Sequence, residues 1–327
     1  MIEVRNLSKN YGPTRALDGV SFTIPTGEIL GFLGPNGAGK TTAMKIITGY
    51  MPPTAGEVLV DSMDAVDQSL EIRRKIGYLP ENTPLYTDIN VVDYLVFVQR
   101  LRGIPRAEHS ARTRRMVELC GLGEVLKKDI GELSKGYRQR VGLAQAMIHD
   151  PEILILDEPT VGLDPNQIVE IRSLIQELGR AKTLILCTHI LSEVEAACKR
   201  VLIIHRGKIV ADGTTASLRA AASGRDRLTV EIKGPSDQVR QGLESLAGAA
   251  RVTSVAPGDG EPRTTSGSAR FVIESAPGHD LREAVFVLAR DRQWVLLELQ
   301  REIVRLEDVF RQLTTGPDAA AGGRSAR

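Results

Sequence analysis

The sequence predicts an α/β protein of two domains: a parallel-sheet core carrying a helical insertion, then a smaller α+β domain. Three observations predict it. Over residues 1 to about 217, short apolar runs alternate with helical segments. Two of those runs, Ile153-Leu154-Ile155-Leu156 and Leu184-Ile185-Leu186, are continuous, as in strands buried on both faces. Two helical stretches then follow each other at Val91–Leu101 and Arg106–Cys120, so a helical insertion breaks the alternation over about 91–150. From about Leu228 the pattern restarts in the order β-α-β-β-α-β.

In chain order, Val20, Phe22 and Ile24 alternate with polar partners, as in a half-buried strand. The apolar segment Ile29-Leu30-Gly31-Phe32-Leu33 precedes a glycine-rich turn, and residues 40–48 read as a helix that Gly49 can close. Past the insertion come the two continuous strands. The second domain, 226–313, reads as a strand at 228–232, a helix at 237–246, strands at 251–255 and 271–273, a helix at 281–289 and a strand at 295–299. Its order predicts a ferredoxin-like arrangement. Residues 256–268, rich in Pro, Gly, Ser and Thr, read as a long loop. A short helix at 306–313 closes the domain. The tail 316–327 has almost no large apolar residue and is expected to be disordered.

Composition bounds the function. The 327 residues suit two domains at roughly 100–200 residues each. A net charge of +1 argues against a dedicated nucleic-acid binder, which carries a basic excess. No apolar run reaches the roughly 18 residues of a spanning helix. The opening Met1-Ile2-Glu3-Val4-Arg5 has no basic stretch leading into an apolar one, so no secretory signal is expected. Cys120, Cys187 and Cys198 lack metal-type spacing and read as buried free thiols of a cytoplasmic protein. Work at a membrane would require a second chain that supplies the membrane part.

The chemistry starts at Gly34-Pro35-Asn36-Gly37-Ala38-Gly39-Lys40-Thr41-Thr42, which fits G-x-x-x-x-G-K-[ST] between a strand and a helix. Glycines let backbone N–H groups close around phosphate oxygens, and the helix that follows adds its positive end. Lys40 is expected on the terminal phosphates and the Thr41 hydroxyl on Mg²⁺. An acidic strand end should complete the site, and Asp157-Glu158 follows Ile153-Leu154-Ile155-Leu156. Asp157 is expected to hold the Mg²⁺ shell and Glu158 to act as general base for the attacking water. His189 follows the strand ending Cys187-Thr188 and can contact the terminal phosphate.

Leu133-Ser134-Lys135-Gly136-Tyr137 resembles the signature of ATP-binding-cassette (ABC) proteins, whose usual form is LSGGQ. Other landmarks of that family occur in its order. Tyr11 stands at the adenine-stacking position, Glu81 at the Q-loop position, Gly162-Leu163-Asp164-Pro165 looks like the D-loop, and His189 stands as the switch histidine. The resemblance covers residues 1 to about 217. Lys135, Tyr137 and Glu81 depart from the common pattern. With the C-terminal extension ending Leu306-Glu307-Asp308-Val309-Phe310, they look like the ATPase subunits of type-2 ABC exporters, similar to gliding-motility-associated and multidrug-type members.

The resemblance implies a homodimer that sandwiches two ATP molecules head to tail. Ser134 and Gly136 of one subunit would face the phosphate loop of the other. It implies Thr41, Asp157 and Glu81 around Mg²⁺; a carboxylate at position 81 can still ligate that ion. It implies a separate transmembrane permease as partner, at the cytoplasmic face of the membrane, with Asn82-Thr83-Pro84-Leu85-Tyr86 beside the groove that receives a permease helix. The competing class is a soluble ABC ATPase acting on a non-transport target. A single cassette, no long heptad run and a neutral charge disfavour it.

Overall fold

The computed structural model describes residues 1–222, 226–255, 267–275, 279–302 and 306–315. The chain divides into two compact units, Met1–Thr215 and Ala216–Arg327. In the first unit the order is β1 (Ile2–Tyr11), β2 (Thr14–Ile24), β3 (Ile29–Leu33), α1 (Lys40–Ile47), β4 (Ala55–Val60), β5 (Met63–Asp64), α2 (Ser69–Lys75), β6 (Ile76–Leu79), α3 (Val91–Leu101), α4 (Arg106–Cys120), α5 (Lys135–Met147), β7 (Ile153–Asp157), α6 (Pro165–Leu178), β8 (Thr183–Thr188), α7 (Leu191–Ala197), β9 (Arg200–His205) and β10 (Lys208–Thr214). Helix α8 (Thr215–Ala222) follows.

Two sheets build this unit. One is antiparallel, in the order β2-β1-β4-β5. The other runs β10-β9-β3-β8-β7-β6 and is parallel except for β10, which pairs antiparallel with β9. Every residue of β7 and β8 is buried, which is why both read as unbroken apolar runs. The core lies between the sheets around α1. Phe22 of β2 meets Phe32 of β3 at 5.6 Å between ring centroids.

The parallel register positions the site. Leu33 of β3 lies opposite Thr188 of β8, and Cys187 of β8 opposite Asp157 of β7. Leu79 of β6 lies opposite Leu156. The segments after β3, β6, β7 and β8 therefore leave the same edge of the sheet, the carboxyl ends at which ligands bind in open α/β sheets. The helical insertion occurs as α3, α4 and α5. Asn90 caps α3 by accepting from the Asp93 N–H, and Ser134 caps α5 by accepting from the Tyr137 N–H. Among the described residues no helix is long and apolar enough to cross a membrane. The three cysteines are free and buried.

The second unit contains β11 (Asp226–Lys233), α9 (Ser236–Glu244), β12 (Ala249–Val255), β13 (Ser268–Ser275), α10 (Arg282–Asp291), β14 (Val295–Glu302) and α11 (Leu306–Thr315). Its antiparallel sheet runs β12-β13-β11-β14, the ferredoxin-like arrangement that the β-α-β-β-α-β order predicts. Leu228, Val230 and Ile232 alternate along β11 into a core with Val239, Leu243, Phe271 and Val285. Trp294 packs on that core, beside Gly234 and Gly242. The loop expected within 256–268 falls, up to residue 266, outside the described residues, as does the disordered tail expected at 316–327.

Candidate nucleotide site

The turn between β3 and α1 is shaped by its glycines. A Cβ on Gly34 would lie 2.5 Å from the Ile204 carbonyl oxygen. Gly39 has φ 111° and a Cβ there would lie 2.6 Å from the Ala16 oxygen. Neither position accepts a side chain, so the backbone of Gly34–Lys40 is left bare as a cradle for oxyanions. Gly34 N–H donates to Thr188 O at 3.4 Å, which ties the turn to the end of β8.

Lys40 opens α1, yet only 6% of it is exposed. Its ammonium donates to Gly34 O at 2.7 Å and lies 3.3 Å from Glu158 Oε1, so its charge is held over the loop. Asp157 closes β7 and is wholly buried. Neither of its carboxylate oxygens has a hydrogen-bond partner among the described residues. Burial raises its pKa to about 6; the nearby Thr41 hydroxyl and Lys40 charge oppose that rise, while the Glu158 and Glu81 charges add to it. A buried carboxylate with two unpaired oxygens is costly unless a cation satisfies it. With the Thr41 hydroxyl beside it, this donor set fits a hard cation such as Mg²⁺, which takes one or two protein oxygens and completes its shell with phosphate and water.

Glu158 follows Asp157 with φ 52°, a left-handed backbone that residues with a Cβ rarely adopt. Its N–H donates to Cys187 O at 2.8 Å. The turn swings its carboxylate, 3% exposed, between Lys40 and His189, whose Nδ1 lies 2.9 Å from Glu158 Oε2. A proton on Nδ1 makes this contact a hydrogen bond to the carboxylate, with Nε2 on the other side of the ring. Strained backbone of this kind persists where the surroundings over-determine it, as they do at functional sites.

Lys40, Asp157, Glu158 and His189 thus converge, with Thr41 and Glu81 near enough to act on Asp157. Pro35, Asn36, Gly37, Ala38 and Thr42 lie in or next to the loop. Tyr11, at the end of β1, is 46% exposed, and its hydroxyl donates to Met51 Sδ at 3.1 Å. Ser134 and Gly136 stand apart from this cluster at the start of α5, an end whose free N–H groups suit an anion. The contacts of that segment run to the turn after Glu158. A Cβ on Gly136 would lie 2.5 Å from Gln167 Oε1, and the Lys135 side chain covers Gly162. The lysine that departs from the common signature therefore packs on the loop that resembles the D-loop. Asp164 caps α6 there in a reciprocal capping box with Gln167.

Two buried polar residues near the site escape a reading of the sequence. The Thr160 hydroxyl donates to Glu193 Oε1, and both residues are buried. Glu193 lies between Ser192 and Val194 with no motif around it, and its partner is 33 residues away.

Comparison with known proteins agrees with this geometry. A family model described as ABC transporter matches residues 17–161. The chain is 34% identical over 321 residues to the Nod factor export ATP-binding protein I of Paraburkholderia xenovorans (strain LB400), covering 96% of both proteins. It is 34% identical over 250 residues to the linearmycin resistance ATP-binding protein LnrL of Bacillus subtilis (strain 168), covering 76% of this chain and 80% of that one. Among solved structures, the ATP-binding subunit of an ABC transporter superposes with TM-score 0.63 at 31% identity, over 68% of this chain and 93% of that chain. The cassette MJ0796, in a dimeric post-hydrolysis state bound to ADP and Pi, gives TM-score 0.61 at 26% identity, over 65% of this chain and 98% of its own.

Proposed function

The chain belongs to the ABC transporter family of ATP-binding proteins, and from that premise we propose that it drives export through a separate membrane permease, as one half of a head-to-tail dimer. It is an ATPase subunit: it binds ATP and hydrolyses it to ADP and phosphate. The observation that carries the mechanistic reading is the chain of contacts from buried Lys40 through buried Glu158 to the exposed ring of His189, with Asp157 unpaired beside it.

In this reading the bare backbone of the loop and the Lys40 ammonium hold the β- and γ-phosphates. Thr41 and Asp157, with Glu81 near Asp157, would hold Mg²⁺. Held there, Mg²⁺ would supply positive charge to offset the charge that grows on the phosphate oxygens. Glu158 accepts a proton from the attacking water as the new P–O bond forms and the bond to the β–γ bridging oxygen breaks. His189 keeps the Glu158 carboxylate oriented through Nδ1, and a proton on Nε2 would let that nitrogen donate to a γ-phosphate oxygen. Tyr11 stacks on the adenine. Ser134 and Gly136 supply hydroxyl and N–H donors to the ATP of the partner subunit, so that ATP joins the two subunits and hydrolysis releases them.

Two observations support a permease partner. The first is the likeness to the Nod factor export protein over nearly the whole chain. The second is an open groove of about 460 Å³ lined by Pro84, Leu85, Tyr86, Tyr94, Phe97, Val98 and Leu101, with Arg102 and Gln145 among them. Tyr86 is 61% and Leu101 69% exposed in it, and Tyr86 meets Phe97 edge-on at 5.4 Å. This mixed lining, apolar and aromatic with a cation and an amide, suits an amphipathic helix at the cytoplasmic face of a membrane. The second unit, in this reading, adds to dimerisation.

Cysteines placed at Ser134 and Gly37 test the head-to-tail arrangement. With Mg-ATP and Glu158→Gln to hold the dimer, a short bifunctional crosslinker should join two chains. Crosslinks confined to single chains would contradict the arrangement.

A further inference from the structure

Glu193 is 1% exposed, and Thr160, which donates to its Oε1, is 3% exposed. The other oxygen, Oε2, is buried with no hydrogen-bond partner among the described residues. A buried carboxylate held by one hydroxyl is expensive, and nothing in phosphate binding calls for it. Its position supplies a use. Thr160 stands two residues after Glu158, and Glu193 four residues after His189. The bond closes a ring that runs from Glu158 through Pro159 to Thr160, across to Glu193, back along α7 to His189, and from His189 Nδ1 to Glu158 Oε2 at 2.9 Å.

Both arms of the ring need such a tie. Glu158 holds a left-handed backbone, and Thr160 lies in the turn that follows it. Helix α7 spans only seven residues, and no side chain caps its start. Its exposed side is tied to α6 through Arg172 Nη2 to Ser192 Oγ at 3.3 Å and Gln176 Nε2 to Ala196 O at 2.7 Å. On its buried side, Thr160–Glu193 links it to the Glu158 turn.

We propose that Thr160 and Glu193 are positioning residues, a buried brace that fixes the spacing of Glu158 and His189 and thereby sets the rate of hydrolysis. This rests on the roles given above to Glu158 and His189. Both brace residues are buried and neither is among the residues assigned above to the nucleotide, so the brace is expected to act on kcat far more than on ATP binding.

The test uses the full-length protein and measures kcat, KM for Mg-ATP and affinity for a fluorescent ATP analogue. Thr160→Val and Glu193→Leu should each lower kcat about tenfold, the scale of a small misplacement of reacting groups, with KM and affinity within about twofold. Thr160→Ser keeps the hydroxyl and should stay within about threefold of the parent. Each single apolar change strands a buried polar group, so the double variant Thr160→Val/Glu193→Leu guards against simple misfolding. It leaves no orphan and should fold like the parent, yet remain slow. In a His189→Ala background, adding Thr160→Val should cost less than twofold more, since the brace then has no histidine to place.

A parental kcat in the double variant would reduce the pair to packing and overturn the proposal. So would a KM that rises as far as kcat falls, or full multiplication of the Thr160→Val and His189→Ala effects. If Glu158→Gln abolishes turnover and Thr160→Val leaves it intact, the brace fails while the base stands. If Glu158→Gln turns over at the parental rate, the base assignment fails and takes the brace with it.

Discussion

Lys40 Nζ lies 3.3 Å from Glu158 Oε1, and both side chains are withdrawn from water. The pair joins the two halves of the site, which stand 118 positions apart in the chain and follow strands β3 and β7, separated in the sheet by β8. Ion pairs buried this way are costly to assemble, and removing one partner leaves the other unpaired. The arrangement makes sense at a place where a polyphosphate is to arrive between a cation and a base.

The groove beside Tyr86 predicts a separation of docking from chemistry. Leu85→Asp with Tyr86→Asp places two charges among the apolar residues of its lining, none of which is Lys40, Glu158 or His189. Recovery of the permease in co-purification should fall at least tenfold, roughly 1.4 kcal/mol or more of docking energy. ATPase of the isolated subunit should stay within about twofold. Undiminished recovery of the permease would remove this groove as the docking site.

His149 predicts an acid-sensitive step in stability. Its Nε2 lies 3.2 Å from Ile76 O, and burial, with the Arg102 charge next, lowers its pKa to about 4. The unfolded chain therefore takes up this proton first. The stability it contributes is full above pH 6.5 and is lost as pH falls toward about 4. His205, also lowered by burial, acts with the same sign. Asp157, raised to about 6, has the opposite sign: its contribution improves as pH falls from about 6 toward 4. The difference between parent and His149→Gln isolates one group. In thermal melts the variant should gain on the parent as pH drops from 6.5 to 4. A difference that stays flat across that window would contradict the assignment.

Trp294, the single tryptophan, reports on the second unit alone because it packs on that unit's core. If this unit adds to dimerisation, Mg-ATP should shift the Trp294 emission of Glu158→Gln. Ending the chain at Ala222 should then raise the protein concentration for half-maximal ATPase about tenfold, roughly 1.4 kcal/mol of association. Unchanged emission together with unchanged concentration dependence would make the unit a passive appendage.

The parts of the site legible in the sequence are those encoded locally. Lys40, Asp157, Glu158 and His189 each follow or end an apolar strand, and a strand end fixes its edge of the sheet without knowledge of the partner strands. The helices at Val91–Leu101 and Arg106–Cys120 were equally plain, since polar turns with Gly103 and Gly121 bound them. The sheet β2-β1-β4-β5 was harder to read. Register shifts between Val4 and Leu7 and again near Lys9 break the period-two alternation of β1. The short β6 carries Gly77, where a Cβ would lie 2.1 Å from Ala146 O, so packing and not propensity made it a strand. Thr160–Glu193 stayed hidden because no local pattern marks a carboxylate that is buried by a helix packing elsewhere in the fold.

The central claim is that Glu158 is the base of an ATPase whose binding machinery is separate from it, and single-turnover hydrolysis tests it most directly. Glu158→Gln preserves the shape of the side chain and removes its basicity. With ATP bound and excess enzyme, the rate of phosphate formation should fall roughly 10²–10⁴-fold, the usual worth of a positioned base. ATP affinity should stay within about threefold, whereas Lys40→Ala should lose affinity itself. Phosphate formation by Glu158→Gln at near the parental rate, or a loss of ATP affinity as large as that of Lys40→Ala, would contradict the account.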